Sequence, residues 1–227
     1  MITIQGKGVS TGIGMGPLYF YRRSKIEIKN YTVEDTTAEW LRFKGAQAVA
    51  VDQLGELAER AREEAGDEAA MLFETHQMMA EDLDYEEAIQ AQITEEGHNA
   101  EWAVSEVGQQ FADMFASMDD AYMQGRAADV KDVSQRILGI LCGVVQGGIA
   151  SDVPVLLASD DLAPSETIQL DKSKILGFIT SMGSGSSHTA ILARTMGIPA
   201  IVGLGDQLDP IYEGRQVVVD GSTGVVI

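Results

Sequence analysis

The fold class predicted by this sequence is an α/β domain built from both ends of the chain, with an all-α helical-hairpin domain inserted between them. Three observations lead there. All five prolines, at positions 17, 154, 164, 199 and 210, lie outside residues 18–153, and 18 of the 24 glycines lie outside residues 25–138. Proline removes an amide donor and clashes with the preceding turn, and glycine carries a backbone-entropy cost, so both oppose helix interiors. Their absence marks a long helical region. Charge divides the chain at the same place: residues 31–138 hold 25 acidic and 7 basic side chains, net -18, in a chain of net charge -19. Short β-prone runs bounded by Gly, Pro, Asp or Ser occupy the flanks. The predicted domains are residues 1–31 with 148–227, discontinuous and α/β, and residues 32–147, helical. The first thirty or so residues are too few to form the α/β domain alone.

In the helical segment, Trp40, Phe43, Ala50, Leu54, Leu57 and Ala61 recur at three- and four-residue steps, the pattern of an amphipathic helix. Gly66 interrupts it. A second helix is predicted from about Asp67 to Asp82 and a third from about Asp84 to Glu96. Asn99 is placed to cap a fourth, carrying Trp102, Val107, Phe111 and Phe115. Asp119 or Asp120 opens a fifth, with Val130, Val133, Ile137 and Leu141. Short connections between such helices favour antiparallel packing. In the flanks, strands are predicted at Leu18–Tyr21, Val155–Ala158, Ile175–Thr180, Ala200–Val202, Gln216–Val219 and Val225–Ile227, with short helices near Pro164–Gln169 and Ser187–Met196.

Composition excludes several functions. A net charge of -19 opposes binding to nucleic acid or anionic membranes, which need a basic face. One cysteine rules out an intrachain disulfide framework, and the three histidines, 76, 98 and 188, lack metal-ligand spacing. The sole thiol, Cys142, is expected inside an apolar helix. No apolar run is long enough to span a bilayer, and the N-terminus does not read as a signal peptide, so a cytoplasmic protein is expected.

The stretch richest in chemistry runs Gly183-Ser-Gly-Ser-Ser-His-Thr-Ala-Ile-Leu-Ala-Arg-Thr-Met-Gly-Ile-Pro-Ala-Ile-Val-Gly203. A strand enters a Gly/Ser loop, a helix begins near Ser187, and Gly197 and Pro199 end it. His188 therefore sits in the first helical turn, among free amide N–H groups at the positive end of the helix dipole. That position suits a histidine that accepts a phosphoryl group. It equally suits a residue that caps the helix. A Walker-type phosphate loop is excluded, because no Lys follows the last Gly.

The string SSHTAILARTMGIPAIVG closely resembles the phosphohistidine signature of enzyme I, the phosphoenolpyruvate–protein phosphotransferase of the bacterial sugar phosphotransferase system, shared with the swivelling domains of the dikinases. Three more segments resemble enzyme I in order: Gly8-Val-Ser-Thr-Gly-Ile-Gly-Met-Gly-Pro-Leu, Gly125-Arg-Ala-Ala-Asp-Val-Lys-Asp132 and Asp161-Leu-Ala-Pro-Ser-Glu-Thr167. Dikinases lack the helical insertion. The resemblance implies an α/β phosphohistidine (swivelling) domain, with His188 phosphorylated and Thr167 hydrogen-bonding its imidazole. Many family members carry Gly-Gly-Arg-Thr before Ser-His, where this chain has Gly183-Ser184-Gly185-Ser186. Backbone N–H groups and Ser186 or Ser187 are then expected to take the place of the missing Arg.

Residues 63–125 contain 17 acidic side chains and no Lys or Arg. Met71, Met78 and Met79 share one side of the second helix, a spacing that fits either a core or a repacking partner surface. The resemblance implies that this domain docks the phosphocarrier HPr through Glu68, Met71, Met78, Met79, Asp82, Asp84, Tyr85, Phe115, Tyr122, Met123 and Arg126. His76 reads as a docking residue or as a structural histidine, packed or exposed. The resemblance further implies a C-terminal barrel that binds phosphoenolpyruvate and Mg²⁺ and forms the dimer. On that reading this chain is a monomeric N-terminal fragment with no cofactor of its own. The rivals are a dikinase-type swivelling domain and a binding module that has lost transfer.

Overall fold

Asp35 starts the first helix, α1 (Thr36–Ala65): its carboxylate accepts the Ala38 N–H at 2.9 Å. The computed structural model describes residues 2–22, 26–144, 151, 153–185, 190, 191, 193, 194 and 197–227, without the side chains of residues 164 and 172. It divides into two compact units, Met1–Arg23 with Gly147–Ile227, and Ser24–Gln146. The sequence placed the first boundary between residues 31 and 32. Tyr31 and Val33 belong to the helical unit because Tyr31 exchanges hydrogen bonds with Asn99 and the Val33 N–H donates to the Gly97 carbonyl.

In the helical unit α1 buries Phe43, Ala46, Ala50, Leu54, Leu57 and Ala61 on one stripe and ends at Gly66, whose φ of 88° favours glycine. There follow α2 (Asp67–Ala80), α3 (Leu83–Thr94), α4 (Ala100–Ala116) and α5 (Ala121–Leu141). α1 pairs with α2 and α4 with α5, with α3 set against α1 and α4. Asp82 and Asp120 cap α3 and α5, accepting the Tyr85 and Met123 N–H groups at 3.0 Å each. Asn99 holds the cap position of α4, but its side chain does not cap. Its carboxamide oxygen accepts the Tyr31 N–H and its NH₂ donates to Glu101. The first N–H of α4, that of Ala100, donates instead to Glu39 of α1 at 2.7 Å. Arg42 joins both carboxylates, donating to Glu39 at 3.0 and 2.7 Å and to Glu101 at 2.8 and 2.6 Å. Gly108 brings α4 close to α5, since a Cβ there would lie 2.4 Å from Ser134 Oγ. Cys142 follows α5 at its cap position and is exposed rather than lying inside the helix.

The α/β unit is one eight-stranded sheet. Its strands are β1 (Ile4–Gln5), β2 (Lys7–Ser10), β3 (Ile13–Phe20), β4 (Val155–Ser159), β5 (Ile175–Thr180), β6 (Ala200–Val202), β7 (Gln216–Asp220) and β8 (Val225–Val226). Their order is β1-β8-β7-β3-β4-β5-β6-β2. β3, β4, β5 and β6 run parallel, with antiparallel strands completing both sides. All five residues of β4 are buried. Val155 and Leu157 pack with Val9 and Phe178 on one face, and Leu156 and Ala158 with Ile179 and Ile201 on the other. A strand covered on both faces reads as a continuous apolar run, which is why VLLAS lacks alternation.

Two strands, β1 and β2, were absent from the sequence reading, and β3 begins at Ile13 rather than Leu18. Gly14 and Gly16 lie extended within β3, and a Cβ on Gly14 would lie 2.1 Å from the Leu176 carbonyl oxygen, so glycine is what lets the β5 backbone pass.

Candidate functional site

The parallel strands β4 and β5 end side by side, with Ser159 opposite Thr180. In open α/β sheets this carboxyl edge is where ligands bind. The loop after β4 carries Asp161–Thr167, and the loop after β5 carries Gly183–Gly185. Backbone bonds lock the two loops together: Ser181 N–H to the Ser159 carbonyl at 3.0 Å and Met182 N–H to the Asp160 carbonyl at 2.9 Å. Ser181 adds a side-chain contact to Asp160 at 3.3 Å. Two motifs that stand apart in sequence thus share one edge. The third α/β motif joins them. Ser10 Oγ of β2 donates to the Ala193 carbonyl at 3.1 Å, and Arg194 donates to the carbonyls of Val9 and Gly185 at 3.3 and 3.1 Å.

Thr167 lies in α6 (Pro164–Gln169), whose start is held by Glu166 accepting the Ala163 N–H at 2.7 Å. Thr167 is fully buried. Its hydroxyl donates to the Ala163 carbonyl at 3.1 Å. While that bond holds, Oγ1 is available to an imidazole only as an acceptor. His188 lies outside the described residues, as do Ser186 and Ser187. Beyond them residues 190, 191, 193 and 194 are helical, and Gly197, at φ 66°, closes the helix, its N–H bonded to the Arg194 carbonyl.

Sequence reasoning missed two cations at this edge. A Cβ added to Gly185 would lie 3.1 Å from both Cε and Nζ of Lys7, so the Lys7 ammonium occupies the space a larger residue would enter. Arg194 holds the same loop through the Gly185 carbonyl. Both residues were legible in the sequence, but Lys7 stands 178 positions from Gly185, and only β2 pairing with β6 brings it across.

In the helical unit an apolar cavity of about 150 Å³ is lined by Met79, Asp82, Asp84, Tyr85, Phe111, Met114, Phe115, Val130 and Val133. On the same unit Met71 and Met78 are 62% and 65% exposed, and Tyr122 is 68% exposed. Glu68, Asp82 and Asp84 are exposed, while Met123 and Phe115 are half-buried. Two of the expected docking residues are engaged within the unit. Tyr85 is only 3% exposed and forms cavity floor, its hydroxyl 2.9 Å from Ser134 Oγ. Burial pushes its phenol up to about 12. Arg126 is not an extended cation: it pairs with Asp129 at 3.2 Å, donates to the Tyr122 hydroxyl and lies 4.7 Å over that ring. His76 is fully buried.

Among the described residues no group of three or more His, Cys, Asp or Glu side chains is placed to hold a metal ion. No described helix is long and apolar enough to cross a membrane.

Comparison with known proteins agrees with this architecture. The family model of the N-terminal region of PEP-utilising enzymes matches residues 5–126, and that of their mobile domain matches residues 152–224. The phosphoenolpyruvate-protein phosphotransferase of Priestia megaterium is 38% identical over 225 residues, 99% of this chain. That of Bacillus subtilis (strain 168) is 35% identical over 228 residues. The chain spans 39% and 40% of the lengths of these two relatives. An NMR solution structure of an Enzyme I protein superposes with a TM-score of 0.78 at 35% identity, covering 99% of this chain and 92% of that one. A structure of the N-terminal domain of Enzyme 1 - Nitrogen gives 0.68 at 25% identity, again covering 99% and 92%. With the first family model spanning more than half of its residues and a solved Enzyme I covered almost end to end, the chain belongs to the Enzyme I family of PEP-utilising enzymes and has the fold of its N-terminal region.

Proposed function

We propose that this chain carries a phosphoryl group on His188 and passes it to the phosphocarrier HPr, as the N-terminal part of a cytoplasmic phosphoenolpyruvate–protein phosphotransferase. The observation that carries the reading is the convergence at one sheet edge of Asp161–Thr167 and the loop that leads into His188. Thr167, tied to the Ala163 carbonyl within α6 and fully buried, is suited to fix the imidazole. Lys7 is the cation proposed to offset phosphoryl charge where this chain has Gly185, with the Arg194 contact holding the loop in place. Transfer is an in-line displacement. The HPr histidine nitrogen forms a bond to phosphorus as the bond to His188 breaks, and that electron pair returns to the His188 ring. Such a step depends on positioning and charge stabilisation.

Docking is assigned to the helical unit. The methionine-rich cavity beside Asp82 and Asp84 offers apolar contact ringed by carboxylates, which suits a small basic partner. In the full enzyme the proposed donor is phosphoenolpyruvate, bound with Mg²⁺ on a C-terminal domain.

Incubation with phospho-HPr followed by mass-spectrometric mapping tests the proposal. His188 is expected to be the sole acid-labile label, and His188→Ala to remain unlabelled while folded. A label on His76 or His98, or one that persists in the variant, overturns it.

A further inference from the structure

The buried histidine of the helical unit takes no part in the chemistry above, yet it is tied to the docking face by a chain of polar contacts. His76 on α2 is fully buried, and both its ring nitrogens face carboxylates of α5. Nε2 lies 3.2 Å from Asp129 Oδ1, and Nδ1 lies 3.6 Å from Asp132 Oδ2. Phe73, one turn earlier, meets the ring edge-on at 6.0 Å and fixes its plane. Asp129 is 1% exposed, and its other oxygen, Oδ2, takes Arg126 Nη1 at 3.2 Å. Arg126 in turn lies over the exposed Tyr122 ring and donates to its hydroxyl. The sequence of contacts His76–Asp129–Arg126–Tyr122 therefore runs from the α2–α5 core to the surface assigned to HPr.

A buried carboxylate takes its orientation from its donors, because leaving one of its oxygens unpaired is costly. Asp129 Oδ2 accepts from Arg126 on the surface side, and Oδ1 faces His76 Nε2 at 3.2 Å on the core side, a contact that is an ion pair when the imidazole is protonated. We propose that His76 is a positioning residue for the docking face: it fixes the Asp129 carboxylate, and that carboxylate holds the Arg126 guanidinium in the place where it meets the incoming carrier. The proposal rests on the docking reading above. It adds that the arginine is set from inside the core rather than by its surface neighbours.

The test is a double-mutant cycle in the full chain, with HPr affinity measured by calorimetry. His76→Gln is expected to weaken HPr binding about fivefold in the parent, within the range for residues of one network, and to have almost no further effect once Arg126→Ala is present. A loss of the same size in both backgrounds means that His76 acts only on packing and overturns the proposal. If Arg126→Ala alone leaves affinity unchanged, the docking reading fails instead. A second readout needs no partner. In the free parent protein the Arg126 Nη–H groups should give resolved NMR signals, as expected of a held guanidinium. These signals should merge in both His76→Gln and Asp129→Asn. Averaged signals in the parent overturn the proposal even where a variant does not fold.

Discussion

At the scale of single residues, Tyr85 shows how packing decides a role. Ser134 Oγ donates to the Val130 carbonyl at 2.8 Å, which occupies its one hydrogen, so the Tyr85 hydroxyl is the donor in their 2.9 Å contact. The phenol therefore holds α3 to α5, and its ring faces the cavity as floor. Tyr85→Phe removes one buried hydrogen bond and keeps the ring. The expected cost is about 1 kcal/mol in urea unfolding, with HPr affinity changed less than about twofold because the apolar surface is retained. The sign of the pH effect also follows. A phenol raised in the fold from 10.0 to about 12 contributes stability that is complete below pH 10 and declines as pH rises toward 12. Unfolding between these limits should be less steeply pH-dependent in Tyr85→Phe than in the parent. Equal slopes would show that the hydroxyl is hydrated in the fold.

At the scale of elements, the start of α4 depends on α1. Hydrogen bonds from Arg42 hold the Glu39 carboxyl below its usual range; for Glu101, burial pulls upward and the bonds from Arg42 and Asn99 outweigh it. Both carboxyls are lowered, so their contribution is present above their ordinary value of 4.5 and is lost as pH falls below it. Arg42→Met should cost about 1 kcal/mol at pH 7, modest because solvent screens a side chain that is more than a third exposed. Between pH 5 and 3 the melting temperature should fall more steeply in the parent than in Arg42→Met. Parallel curves would mean the fork carries no net stabilisation. This junction also marks the limit of what the sequence discloses. The five helices and most of the strands were legible because their signals are local: periodicity, acidic caps, and Gly66 as a stop. The cap of α4 was misread because its acceptor comes from Glu39, 61 positions away, while Asn99 is drawn off by Tyr31. β1 and β2 were missed because at two and four residues they are too short to show an alternating pattern. At the candidate site, the resemblance pairs Thr167 with His188, but Lys7 beside Gly185 depends on sheet topology that no spacing records.

At the scale of the whole molecule, the net charge of -18 on residues 31–138 places nearly all the acidity on the helical unit, while the sheet unit stays close to neutral. Such a field acts beyond contact, over the ~10 Å of a Debye length at 0.1 M salt. It raises association rates more than it slows dissociation. For a basic carrier, raising salt from about 0.05 to 0.5 M should slow association about tenfold and change dissociation little. Two variants separate charge from contact. Asp82 caps α3, so a lysine there would confound lost charge with lost helix; Asp82→Asn removes the charge and keeps a capping oxygen. Combined with Glu68→Gln, it should flatten the salt dependence of association in stopped-flow measurements and leave dissociation near the parent value. Met79→Ala, at the cavity wall, should instead raise the dissociation rate about fivefold with the salt dependence intact. If association is insensitive to salt and both variants bind like the parent, the acidic face serves solubility alone. Docking would then fall to the sheet edge that carries Thr167 and Lys7.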